Sequence, residues 1–228
     1  MNIDKVKTCV VFAAHPDDEI IGPGGTIIRL TEQGAKVVVV LFTLGGTGYA
    51  NVADKDKIMK IREKELTRSQ KILGYQERVI LDKPCQGVCD DRDTYHQCMK
   101  IIRKYKPQLI LTHYFEDKHR DHRAISDVTT EAWWKASENL MHDIGKPWRA
   151  PELYYYEGGE YITHPSVIVD ITKTINKKVK AMSINTSQLD VLGSVVERVK
   201  GLAVARGWLG DCDYGEAFIR SNFMATKI

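Results

Sequence analysis

One imidazole and three carboxylates fall within five residues in His15-Pro16-Asp17-Asp18-Glu19, directly after an apolar run that ends at Ala14. Charges of one sign placed so close together repel each other, and a divalent cation turns that repulsion into binding energy. An imidazole and a carboxylate three positions apart can reach the same ion, because a turn brings residues i and i+3 together. Pro16 stiffens that turn by fixing its own φ. A second polar cluster runs from His113 to His122 and supplies His119 and His122, again three apart. One of these histidines suffices to complete a three-ligand set, the number that catalytic zinc keeps while leaving a position open for water or substrate. Mixed imidazole and carboxylate donors suit zinc (Zn2+) and also accept Fe2+ or Mn2+. From spacing alone, either His119 or His122 completes the set, and either Asp17 or Asp18 is its carboxylate. A histidine pair at this spacing also occurs by chance on surface helices, so the reading rests on the two clusters jointly.

The elements that must position these clusters alternate between strand and helix. Lys7 to Ala14 and Lys36 to Thr43 are apolar, β-branched runs suited to buried parallel strands. Shorter strands are expected over Arg78–Leu81, Gln108–His113, Leu153–Tyr156 and Val167–Asp170. Helices are expected from Gly24 to Gln33, closed by Gly34, and from Asp54 to Leu73, closed by Gly74. Others are expected from Asp91 to Tyr105, from His122 to about Asn139, from Thr172 to Met182 and from Ser194 to Ala205. Strands separated by helices of this length predict βαβ units and a mostly parallel sheet in the α/β class, as one domain over residues 1–228. In such sheets ligands bind beyond the carboxyl ends of the strands. Both polar clusters follow strands directly, so they face one crevice if those strands are neighbours.

Composition narrows the function classes. The chain has 228 residues, 43% hydrophobic and 28% charged, which is ordinary for a globular domain. Its net charge of +3 is spread over 33 basic and 30 acidic residues, so no basic face argues for nucleic acid. No apolar run approaches the ~20 residues that span a bilayer, and the polar start Met1 to Lys7 is not a signal peptide. A cytoplasmic protein without membrane insertion is expected. Of the five cysteines, Cys85, Cys89 and Cys98 lie close in sequence. Their spacing matches no standard zinc knuckle, and reduced thiols are expected.

Ala14-His15-Pro16-Asp17-Asp18-Glu19 resembles the signature of the PIG-L/LmbE-like family of zinc-dependent de-N-acetylases. Gly24-Gly25-Thr26, Arg62-Glu63 through Leu73-Gly74, and His119-Arg120-Asp121-His122 resemble its further motifs in order. Val169-Asp170-Ile171, Ser187-Gln188, Arg206-Gly207 and Tyr214 to Phe218 resemble its C-terminal landmarks, so the likeness covers nearly the whole chain. It implies a Rossmann-like, three-layer sandwich around a mostly parallel sheet. It also implies His15, Asp18 and His122 as metal ligands, Asp17 as general base and His119 as oxyanion stabiliser, oriented and kept charged by Asp121. Arg62 is implied as a substrate-gripping group. Glu19 is expected behind His15, and Glu216 near the pocket. The implied substrate is a small amino sugar or glycoconjugate of the N-acetylglucosamine type. The implied assembly is a homo-oligomer, a trimer or hexamer.

The chain departs from the family in two places. The loop Thr43-Leu44-Gly45-Gly46-Thr47-Gly48 lacks the acidic residue that many relatives carry there. Asp117 stands where some relatives place a tyrosine, with Tyr114 and Tyr49 as candidate substitutes. An amidase of the same fold acting on another N-acyl bond, such as a thiol conjugate, is the close alternative. A nucleotide-binding module is disfavoured, because Gly22-Pro23-Gly24-Gly25 is not GxGxxG and an acidic cluster repels pyrophosphate. A purely structural metal protein leaves no task for Asp17 and His119.

Overall fold

The computed structural model describes residues 3–225. Valine-rich segments form the centre of one seven-stranded sheet. Its strands are β1 (Thr8–Ala13), β2 (Lys36–Leu41), β3 (Glu77–Ile80), β4 (Leu109–His113), β5 (Glu152–Tyr156), β6 (Val167–Asp170) and β7 (Gly215–Arg220). They lie in the order β3-β2-β1-β4-β5-β7-β6. Strands β1 to β5 are mutually parallel, while β7 runs antiparallel to both β5 and β6. The chain winds outward from β1 through β2 to β3, then returns to place β4 on the other side of β1. That reversal opens a crevice at the carboxyl ends of β1 and β4, where α/β sheets bind ligands. The two polar clusters are therefore brought face to face.

Alternate residues of each strand feed two separate cores, as the period of two requires. Cys9, Val11 and Ala13 pack with helices α2 (Gly24–Glu32), α3 (Ile58–Leu73), α6 (Ile175–Ser183) and α8 (Val195–Leu209). Val10, Phe12 and Ala14 pack with α4 (Arg92–Tyr105) and α5 (Arg120–Ala136) on the other face. The result is the expected three-layer α/β sandwich. Gly74 closes α3 with φ +78, a left-handed conformation that glycine adopts without steric cost. Asp91 caps α4 by accepting the Thr94 N–H at 2.8 Å.

Several boundaries differ from expectation, each for a local reason. Helix α5 begins at Arg120 rather than His122, because His119 is its N-cap. The stretch before α3 is a 3-10 turn, Val52–Asp54, and the helix proper starts at Ile58. Helix α6 starts at Ile175 and α8 extends to Leu209. The short helices α1 (Asp18–Ile21) and α7 (Thr186–Leu192), and strand β7, were not expected. In β7 the charged Glu216 interrupts the apolar pattern, yet it is buried. It accepts the N–H groups of Gly25 at 2.7 Å and Thr26 at 2.8 Å, capping the start of α2. It also pairs with buried Lys178 at 2.6 Å. Glu216, expected near the pocket, thus has a structural partner and is not among the residues lining the cavity that holds His15, Asp18 and His122.

That pair predicts a stability effect. Glu216→Ala strands a buried ammonium and two helix N–H groups, and should cost about 3–5 kcal/mol in urea unfolding. Adding Lys178→Met should recover part of the loss; a double variant no better than the single one overturns the pairing.

Candidate metal centre

His15 leaves the end of β1, and the next turn folds back so that its N–H donates to Asp18 Oδ2 at 2.8 Å. Across the crevice, α5 starts just after β4 and carries His122 in its first turn. Asp18 Oδ2 lies 3.2 Å from His15 Nδ1 and 3.4 Å from His122 Nε2. Single ligand atoms of His15, Asp18 and His122 fall within 4.8 Å of one another. The other nitrogen of each ring meets a carboxylate. His15 Nε2 is 3.2 Å from Asp121 Oδ2, and His122 Nδ1 is 3.0 Å from Asp117 Oδ2. Carboxylates so placed orient a ligating imidazole and raise its basicity.

Two overlapping trios, His15-His119-Asp121 and His113-Asp117-His122, have comparable spacing. Their carboxylates are already occupied by backbone donors. Asp117 accepts N–H groups from His119, Gly159 and Glu160, and Asp121 accepts from Gln86 and Val88. Asp18 has fewer such commitments and lines the cavity together with both of its imidazoles. The electrostatics fit a cation at this trio. Burial opposes charge on His122, yet Asp18 and Asp117 outweigh it and lift the pKa to about 9. His15 is likewise held well above its ordinary value despite burial, by Asp121 and Asp18. The carboxylates therefore draw positive charge to the rings, and a divalent ion can take the place of those protons.

Asp17 sits beside the trio on strained backbone, at φ 150. Its N–H donates to Glu19 Oε2 at 3.0 Å. Arg62 Nη2 donates to Asp17 Oδ2 at 2.9 Å and to Pro16 O at 2.7 Å. Burial pushes the Asp17 pKa up to about 6, against the pull of Arg62. The glycine loop after β2 makes room for that guanidinium: a Cβ on Gly48 would lie 2.6 Å from Arg62 Nη1, and Gly45 has φ +65 beside it. Arg62 lines the cavity and donates to Asp17 and to the main chain at Gly45 and Pro16.

Three further expectations change. The Asp121 carboxylate contacts His15 rather than His119. It is the Asp121 N–H that meets His119, at Nδ1, 3.2 Å away. His119 is pushed below its ordinary pKa by burial and by the neighbouring imidazoles, so the expected charged form is disfavoured. Glu19 is fully buried and holds the Asp17 N–H instead of standing behind His15; burial and Asp17 push its pKa up to about 8. Asp117, noted only as a missing tyrosine, backs His122; its place in the His113–His122 cluster was the available signal. Tyr114 instead donates to Glu116. His113, which stacks on His122 at 3.8 Å, was overlooked because a strand-end histidine has no pattern of its own.

The cavity over the trio holds about 470 Å³. Its floor is His15, Asp17, Asp18 and His122, with His119, Arg62, Cys85 and Gln188 around them. Among the described residues no candidate metal group contains cysteine. The backing carboxylates yield a prediction that needs no substrate. Asp117→Asn and Asp121→Asn should each weaken zinc binding by about 10–100-fold in competition with a chromophoric chelator. Wild-type affinity in both variants would remove them from the metal's support.

Residues 10–133 match the sequence model of the family described as PIG-L, GlcNAc-PI de-N-acetylase. The diacetylchitobiose deacetylase of Thermococcus kodakarensis is 30% identical over 189 residues, covering 80% of this chain and 70% of that protein. The N,N'-diacetylchitobiose deacetylase of Pyrococcus horikoshii superposes with a TM-score of 0.88 at 24% identity, over 99% of this chain and 89% of that one. The 4-carboxy-2-hydroxymuconate hydratase of Pseudomonas putida shares the fold too, with a TM-score of 0.82 at 23% identity over 97% and 99%. More than half of the chain, including both polar clusters, matches the family model, and the chain belongs to the PIG-L family.

Proposed function

We propose that this protein is a zinc-dependent hydrolase that removes the acetyl group from an N-acetylglucosamine-type amino sugar or glycoconjugate. The observation that carries the reading is the cavity floor, where the donor atoms of His15, Asp18 and His122 converge beside the carboxylate of Asp17. The family and the deacetylases similar to this chain support the reaction class.

When bound, a divalent cation polarises the acetamide carbonyl and lowers the pKa of a water toward about 7. Asp17 takes the proton from the attacking water. Arg62 holds Oδ2, which leaves Oδ1 to receive it. His119 faces the cavity, and its Nδ1 accepts the Asp121 N–H, which leaves the ring proton on Nε2. A neutral imidazole can thus donate to the carbonyl oxygen as negative charge develops there. Asp17 then passes its proton to the nitrogen as the C–N bond breaks, giving acetate and a free amine. His15, Asp18 and His122 would hold the cation, with Asp121 and Asp117 fixing the two imidazole rings.

The same fold supports a hydratase, so the decisive measurement is amine release from N-acetylglucosamine derivatives. Asp17→Ala should lower that rate by roughly 10²–10⁴-fold while one metal per chain is retained. Loss of the metal with Asp17 would refute the division into ligands and base, and full activity in excess chelator would refute metal dependence. Arg62→Met frees the Asp17 carboxylate and should reduce kcat by roughly 10–100-fold with a smaller change in KM. A change in KM alone would return Arg62 to substrate binding.

A further inference from the structure

The cavity has two unlike halves, and the metal chemistry uses only one. Beyond the polar floor, the facing wall is built by α1, α7 and α8, from Ile21, Leu192, Val195, Val199 and Leu202. These aliphatic side chains project into the same volume of about 470 Å³, which exceeds what one pyranose with its acetamide fills. The wall is continuous with the catalytic floor and is not a separate surface groove. Its helices are tied to the site: Glu65 of α3 accepts from Thr186 Oγ1 at 2.9 Å and Ser187 N at 2.9 Å, and Gln188 Nε2 donates to Gly48 O at 3.0 Å.

Resting on the deacetylase reading, we infer that the substrate carries an apolar aglycone that lies against the α7–α8 wall. Where a second sugar lay against Ile21, Leu192, Val195, Val199 and Leu202, its hydroxyl groups would face side chains with no donor or acceptor, with Tyr161, Gln188, Lys118 and Arg198 elsewhere in the lining, and an unpaired buried polar group costs about 1–3 kcal/mol. An alkyl or aryl group loses nothing there and gains by leaving water. Charge points the same way. Asp17 and Asp18 are the acids of the lining, while Lys118 and Arg198 line its outer part, so a protonated amino-sugar aglycone is disfavoured. Lys118 also lies 3.9 Å from Glu160, and Arg198 donates to Leu192 O, so both cations are held near the wall.

The test compares amine release from methyl and hexyl glycosides of N-acetylglucosamine, its disaccharide, and the methyl glycoside of N-hexanoylglucosamine. The hexyl glycoside should exceed the methyl glycoside in kcat/KM by at least about tenfold, chiefly through KM. Leu202→Asp should bring that ratio toward one. Because a misfolded variant would lose both activities, binding is measured as well by calorimetry on zinc-loaded Asp17→Ala protein. The hexyl glycoside should bind about tenfold more tightly there, with a more negative heat-capacity change. Equal values for methyl and hexyl, a preference for the disaccharide, or a gain only with the N-hexanoyl substrate each overturn the inference. Absence of amine release from every substrate overturns the deacetylase reading instead, and the calorimetric comparison still decides the apolar wall.

Discussion

Carboxylates and imidazoles are packed together out of water where β1 and β4 end, and the charge they concentrate dictates how the loops around them are built. Asp117 collects three backbone N–H groups and Asp121 two, so each is fixed before it meets its imidazole. Asp17 is restrained by a buried guanidinium, and burial and the neighbouring Asp17 push Glu19 up to about 8. Hydrogen bonds to backbone amides stabilise a carboxylate without adding a mobile positive charge. Negative charge can therefore accumulate around His15 and His122 while the fold stays intact.

Part of this was legible in the sequence. Valine runs and spaced glycines identify the central strands and helix ends, and the two polar clusters follow strands directly. A mostly parallel sheet then makes one crevice from two distant motifs. Partners of individual side chains were harder to read. Asp121 lies two residues from His119 yet points to His15, because its backbone enters α5 while its carboxylate turns toward the loop at Gln86. The contacts of Arg62 with Asp17 and with the glycine loop at Gly45 join residues 45 and 17 positions apart. Nothing in the local sequence around Glu216 signals its partner Lys178, 38 positions away. Such assignments depend on tertiary contacts that local spacing does not encode.

The cavity combines two sources. Loops following β1, β2, β4 and β5 supply its polar floor, in the manner of open α/β sheets. Helices α7 and α8, after β6, supply the aliphatic wall. His15, Asp17, Asp18, His119 and His122 of the first fall in the matched stretch 10–133, whereas α7 and α8 lie outside it.

Strand β7 follows everything else in the described chain, yet it sits inside the sheet, between β5 and β6. As the chain emerges during synthesis, β6 has no strand to join until β7 arrives, and α2 lacks its Glu216 cap. The ligand-bearing loops on β1 and β4 can meet much earlier, since those strands pair directly. The β1–β4 pairing that joins the two polar clusters can thus form before β6 and the start of α2 receive their β7 partners.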